Sequence, residues 1–230
     1  APQNVAFNQH DSSLTVAIQF SGETGFQQVH YNVFSSEGKR LNSSPVLMLD
    51  NGDSVNSGDS IAGDKIYSGK ILLSSVYPNG RYRIEFFVVD ASSFSKNVAQ
   101  HNFNYDNGLE KFPPVISELN APDTLVLTNE VQLVRLTIKV WDPNGLSDIE
   151  TVYFNTFLPN GNPSSGNPFT MYDDGNKDVH GDETAGDGIY SRIIQLPPTT
   201  PTGIYRFEFE ARDRSGELSN KIIHNLHVVN

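Results

Sequence analysis

The sequence predicts an all-β protein made of two tandem antiparallel β-sandwich domains, residues 1–110 and 111–230. Three observations carry this. No stretch shows sustained helical periodicity with caps, whereas apolar and polar residues alternate in run after run. Gly, Pro, Asn and Ser clusters punctuate these runs about every 8–12 residues, as short strands joined by tight turns require. The chain also repeats itself: Leu49–Ser68 (LDNGDSVNSGDSIAGDKIYS) superimposes without a gap on Tyr172–Ser191 (YDDGNKDVHGDETAGDGIYS) at a constant spacing of 123.

In order along the chain, Asn4 to Phe20 gives two short strands separated by Asp11-Ser12-Ser13, and Leu14, Val16 and Ile18 alternate with polar or small neighbours. Ser21 to Gly25 reads as a turn, and Val29, Tyr31 and Val33 continue the alternation. Pro45 to Leu49 is a strand running into the first acidic loop, and Ile66 to Leu73 resumes after it. Tyr77-Pro78-Asn79-Gly80 is a turn. In the run that follows, Tyr82, Ile84, Phe86 and Val88 face one way and Arg81, Arg83 and Glu85 the other, as in a sheet with one wet face. Asn97 to Asn107 closes the first domain. Gly108 to Pro114 (GLEKFPP) is the boundary, since its paired prolines cannot extend a central strand.

In the second half the strands are Val115–Leu119, Leu125–Leu127, Val131–Trp141 and Ile149–Leu158, with the turn Asp142-Pro143-Asn144-Gly145 between the last two. There proline presets φ and Asn-Gly tolerates positive φ. The spacing of 123 extends from Val29/Val152 through Tyr82/Tyr205 and Asp90/Asp213 to Asn97/Asn220 and His101/His224, so the two halves are copies of one domain. They differ at their starts: Val115 to Thr128 supplies strand material that the first half barely matches. That edge is either made by Asn4 to Gln9 or open to a strand from a partner. Trp141, the single tryptophan, aligns with Phe20 and is expected in the core.

Composition excludes several function classes. The formal net charge is −11, from 27 acidic and 16 basic residues, with no basic cluster, so nucleic acid is not an expected partner. With no cysteine, disulfides and thiolate metal sites are ruled out. No run approaches the roughly 18 apolar residues of a membrane helix. Ala1-Pro2-Gln3-Asn4 lacks the regions of a signal peptide, so an exported protein would be numbered here from after processing. Nucleophile elbows, zinc-helix motifs and phosphate-cradling glycine loops are missing from the sequence, and no enzymatic activity is expected.

The run VWDPNGLSDIETVYF, followed by MYDDG, GDETAGDGIYS, GIYRFEFEARD and an S-G-x-L-S-N hairpin, resembles the immunoglobulin-like or fibronectin-type-III-like modules of bacterial secreted and surface proteins. It is most similar to those with an aspartate-rich DDG…GD…AGDGxY segment. The first domain departs from the pattern at Asn51 and Lys65 and in its shorter counterpart of DPNG. The resemblance implies extracellular placement and a role as a structural or adhesive module. Its alternatives are a carbohydrate- or protein-binding accessory region of a secreted enzyme, or a self-assembling subunit of a surface filament joined through edge strands.

The candidate site is the pair of acidic loops. Asp50, Asp59 and Asp64 in one, and Asp173, Asp174, Asp182 and Asp187 in the other, offer the oxygen ligands calcium takes, with glycines freeing backbone carbonyls to add more. The competing expectation is structural. Aspartate beside glycine also caps local N–H groups in tight turns and would hold a long loop against the sandwich without any ion. No other cofactor is expected. The recurring His101/His224 are expected to be surface or satisfied groups, and Tyr67/Tyr190 to pack inward.

Overall fold

The computed structural model describes residues 1–21 and 25–230, which fall into two compact units, Ala1–Glu110 and Lys111–Asn230. Most of the turn expected at Ser21 to Gly25 lies outside the described residues. The first unit holds β1 (Asn4–Ala6), β2 (Ser13–Gln19), β3 (Phe26–Phe34), β4 (Val46–Met48), β5 (Ile66–Leu72), β6 (Gly80–Asp90) and β7 (Ser95–Asp106). The second holds β8 (Val115–Asn120), β9 (Thr124–Val126), β10 (Gln132–Trp141), β11 (Ile149–Phe157), β12 (Phe169–Met171), β13 (Ile189–Leu196), β14 (Gly203–Asp213) and β15 (Ile222–Val229), with one short 3₁₀ turn at Leu146–Asp148.

Each unit is an immunoglobulin-like β-sandwich. One sheet has the order β1-β7-β6-β3-β4 in the first unit and β9-β15-β14-β11-β12 in the second. The facing sheet is β2-β5 in the first and β8-β10-β13 in the second. Among the described residues all strand pairings are antiparallel except one in each unit: β1 runs parallel to β7, and β9 parallel to β15.

Alternation fills the space between the sheets. Val134, Leu136, Ile138 and Val140 of β10 point inward to meet Tyr205, Phe207 and Phe209 of β14 and Phe154 of β11. In the first unit Val16, Val29, Tyr31, Ile84, Phe86, Phe103 and Tyr105 do the same. Full burial of such a side chain stabilises by about 1.5–3 kcal/mol. Both units carry the same tyrosine tie: the Tyr82 hydroxyl donates to the Pro78 carbonyl at 2.7 Å, and the Tyr205 hydroxyl to the Pro201 carbonyl at 2.9 Å.

Strand pairing corrects the expectation for Trp141. Ile18 pairs with Tyr67 and Ile138 with Tyr190, so in this part of the fold the copies are 120 apart, not 123. Val140 therefore occupies the place of Phe20. Trp141 falls on the outward face of β10, where it is 59% exposed. The jump from 120 to 123 means that the corner between β10 and β11 is three residues longer than its counterpart between β2 and β3.

Candidate functional site

In the first acidic loop, which leaves β4 and returns into β5, the carboxylates are acceptors for the loop's own backbone. Asp59, 2% exposed, receives the amides of Asn51 and Gly52 at 2.6 and 2.5 Å. Asp50 receives those of Gly63 and Lys65 across the loop mouth. Asp64 caps Ile66, and Asp53 caps Val55 and Asn56. Gly58 turns with φ +81°, and a Cβ there would sit 2.5 Å from Thr15 Cγ2, so the loop closes directly on β2.

The second loop repeats this wiring. Asp182, 1% exposed, accepts from the Gly175 amide. Asp173 accepts from Gly186, Asp187 and Gly188, and Asp187 from Ile189. Hydrogen bonds of this kind, from amide to ionised carboxylate, are the stronger class. Burial pushes the Asp173 carboxyl up from its ordinary value, and the amides of Gly188 and Gly186 partly oppose this.

Of the predicted ligands, the fold brings Asp50, Asp59 and Asp64 together in one loop and Asp173, Asp182 and Asp187 in the other, one oxygen of each within 4.8 Å of the other two. Asp174 stands outside its group. It accepts from the Asn176 amide and pairs with His180 Nδ1 at 2.7 Å, while the His180 ring stacks on Tyr172 at 3.8 Å. The Asn176 amide first, then His180, hold the Asp174 carboxyl below its ordinary value.

A third group was not anticipated from the sequence. Asp142, Asp148 and Asp213 are buried, at 4%, 3% and 0% exposure, and also bring one oxygen each within 4.8 Å of the others. Burial first, with the Asp213 charge adding, pushes the Asp142 carboxyl up. The available signal was the pair of aspartates bracketing Asp142-Pro143-Asn144-Gly145-Leu146-Ser147-Asp148, which the proline and Asn-Gly made look like a turn alone.

Other expectations resolve simply. His101 and His224 each donate Nε2–H to the carbonyl of a proline in the leading segment of their unit, Pro2 and Pro122, both at 2.9 Å. Tyr67 packs edge-on against Phe20 and Phe26, and Tyr190 packs against the second core. Phe169 lies on β12 and stacks on Phe154 at 5.3 Å. Arg83–Glu85 and Arg206–Glu208 pair along one strand, with Arg83 also over the Phe34 ring and Arg206 over Phe157, and Glu208 is reached by Lys221 as well. Such exposed pairs contribute little to stability.

Neither a protein-family model nor a curated protein sequence matches the chain. Among solved structures, it is similar to the fibronectin(III)-like modules of Clostridium thermocellum CbhA, at 14% identity and a TM-score of 0.33, over 100% of this chain and 90% of that one. It is similar to a tetra-tandem repeat in the extending region of a large adhesion protein, at 16% identity and a TM-score of 0.40, over 97% of this chain and 48% of that one. A third likeness is to the PKD domain of an M14-like peptidase from a Thermoplasmatales archaeon, at 14% identity and a TM-score of 0.32, over 53% of this chain and 100% of that one. These values are too low to bear on a site or an activity. No helix among the described residues is long and apolar enough to cross a membrane.

Proposed function

We propose that the protein is a non-catalytic, extracellular structural or adhesive module pair. One observation carries the reading: in both units the first and last strands of the larger sheet run parallel, β1 with β7 and β9 with β15. Each leading strand lies against the last paired residues of the closing strand, Asn104–Asp106 and His227–Val229, and points out of the sandwich with it. In the second unit the entry strand β8 begins opposite Trp141, near the corner where β11 starts and β14 ends, whereas β15 ends opposite the start of β14, so entry and exit lie at opposite ends of that sandwich, as a series of modules needs. The acidic loops fit the same role, since their carboxylates are committed to backbone amides in both copies.

The test is a comparison of turnover and retention. Purified protein is assayed against polysaccharide, ester and peptide substrates and for retention on insoluble glycans. Turnover that disappears on substitution of a loop aspartate would sink the non-catalytic reading. Saturable glycan retention would replace it with the accessory-region alternative.

A second reading, assembly by strand addition, has its own support. In the second unit β8 lies along β10, and the Asn220 side chain clamps it by accepting from the Ile116 amide and donating to the Ile116 carbonyl. Among the described residues of the first unit, β2 pairs only with β5, and Asn97, the counterpart of Asn220, is exposed. The place for a strand and its clamping residue are both there. Sedimentation across a range of protein concentrations tests it: association weakened by Asn97→Ala supports strand addition, and a monomer at every concentration removes self-assembly.

A further inference from the structure

We propose that the second unit binds a calcium ion on Asp142, Asp148 and Asp213, at the corner where β10 turns into β11 and β14 ends. Two of these carboxylates divide their oxygens in the same way. Asp142 Oδ1 accepts from the Asn144 amide at 2.6 Å, and Asp213 Oδ1 from the Glu217 amide at 2.8 Å. The second oxygen of each, Oδ2, is shielded from solvent and meets no donor. Asp142 is 4% and Asp213 0% exposed, so water does not solvate these oxygens as it would on a surface. Ionised carboxylate oxygens in that state require a compensating cation or a proton.

Arg214, whose Nε donates to the Ser147 carbonyl, brings one positive charge to this loop against three carboxylates. The acidic loops contrast with this corner, because there the amides of Gly52, Gly63, Gly175 and Gly188 point into the carboxylates.

The first unit carries fewer acids along this corner. At the aligned positions the sequence has Gly22 and Gly25 in place of Asp142 and Asp148, and the corner is three residues shorter. Phe20, Phe26 and Tyr67, the counterparts of Val140, Ile149 and Tyr190, close it with rings 4.5–5.7 Å apart. Asp90, the counterpart of Asp213, is only half-buried and gives its Oδ1 to the amides of Ser92 and Phe94. One copy thus packs three aromatic rings beside the corner, while the other places three carboxylates in it.

The donor set selects the ion class. Carboxylate oxygens without imidazole or thiolate suit a hard divalent cation rather than zinc or copper. A turn whose backbone carbonyls, with water, can add further oxygens suits the six to eight ligands of calcium better than the tight octahedron of magnesium.

The experiment uses the full chain, stripped with EGTA and titrated with calcium chloride or magnesium chloride, read by equilibrium dialysis with elemental analysis and by differential scanning calorimetry. With a dissociation constant of about 1 mM, typical of extracellular modules, 10 mM calcium raises the melting temperature of the second unit by about 6 °C, and magnesium raises it less. Asp142→Asn and Asp213→Asn each keep the Oδ1 acceptor. They are expected to lower calcium affinity at least tenfold, remove the shift, and melt in EGTA at or above the wild-type temperature because a buried charge is gone. Wild-type protein with no saturable calcium binding overturns the proposal, as does wild-type affinity in both variants. Should one variant not fold, the other and the wild-type stoichiometry still decide.

Discussion

Asp59 offers the sharpest test of what the acidic loops do. Asp59→Ala removes a carboxylate that is 2% exposed and strips the Asn51 and Gly52 amides of their acceptor. A buried donor left without a partner costs about 1–3 kcal/mol. Asn51 and Gly52 are themselves exposed, so water reaches the freed amides and the lower end of that range applies to each, or about 2 kcal/mol together. For a domain of this size that lowers the melting temperature by about 8 °C. Asp59→Asn keeps a neutral acceptor for both amides, and the expected loss is about half as large. Calorimetry in EGTA isolates the bracing role, since no ion contributes under those conditions. Asp59→Ala within about 0.5 kcal/mol of wild type in EGTA would refute the reasoning. A deficit seen only when calcium is present would instead make the loop an ion site.

Other outcomes follow from the same geometry. Gly58→Ala places a Cβ 2.5 Å from Thr15 Cγ2 at a φ of +81°, so it is expected to destabilise the first unit by more than about 1 kcal/mol; an unchanged denaturation midpoint would contradict the close approach of loop and β2. Trp141→Gln is expected to stay within about 0.5 kcal/mol of wild type, whereas Ile138→Ala, at a position 0% exposed, costs about 2–5 kcal/mol; urea unfolding curves showing the reverse order would overturn the assigned face of β10. Burial lowers the His30 pKa from 6.5, so its neutral form favours the fold; the stability it contributes is complete above pH 6.5 and is lost as pH falls through the lowered value. Proton NMR that places the His30 titration at or above pH 6.5 would contradict this.

Much of the fold was legible because its signals are local. Alternation on β6, β10 and β14 identifies the inward set residue by residue, and the repeat aligns the halves without any partner information. What escaped the sequence was whatever depends on pairing register. The expectation of Trp141 in the core rests on matching it with Phe20, 121 positions earlier, whereas the pairings of Ile18 with Tyr67 and of Ile138 with Tyr190 set these strands 120 apart and put Val140 in the place of Phe20. The same corner hid the Asp142, Asp148 and Asp213 group. Asp213 lies some 65 positions beyond Asp148 in the chain, and strand order alone brings it back. Within the acidic loops the aspartates named from the sequence do converge, apart from Asp174, which turns away to His180 while Asp173 holds the loop mouth, a division that the sequence does not show.

The parallel terminal strands have a mechanical consequence. Tension applied between the two ends of the first unit runs along β1 and β7 in opposite directions, and so lies across their mutual hydrogen bonds rather than in line with them; in the second unit it meets β8 on β10 before it reaches β9 and β15. Such bonds must yield in shear and nearly together, where an antiparallel pair pulled from one end would unzip a rung at a time. The His101–Pro2 and His224–Pro122 contacts add a rung beside each pair. Under such a pull the resistance of the first unit would rest on the three-residue β1–β7 pair and the contact beside it more than on the core behind them.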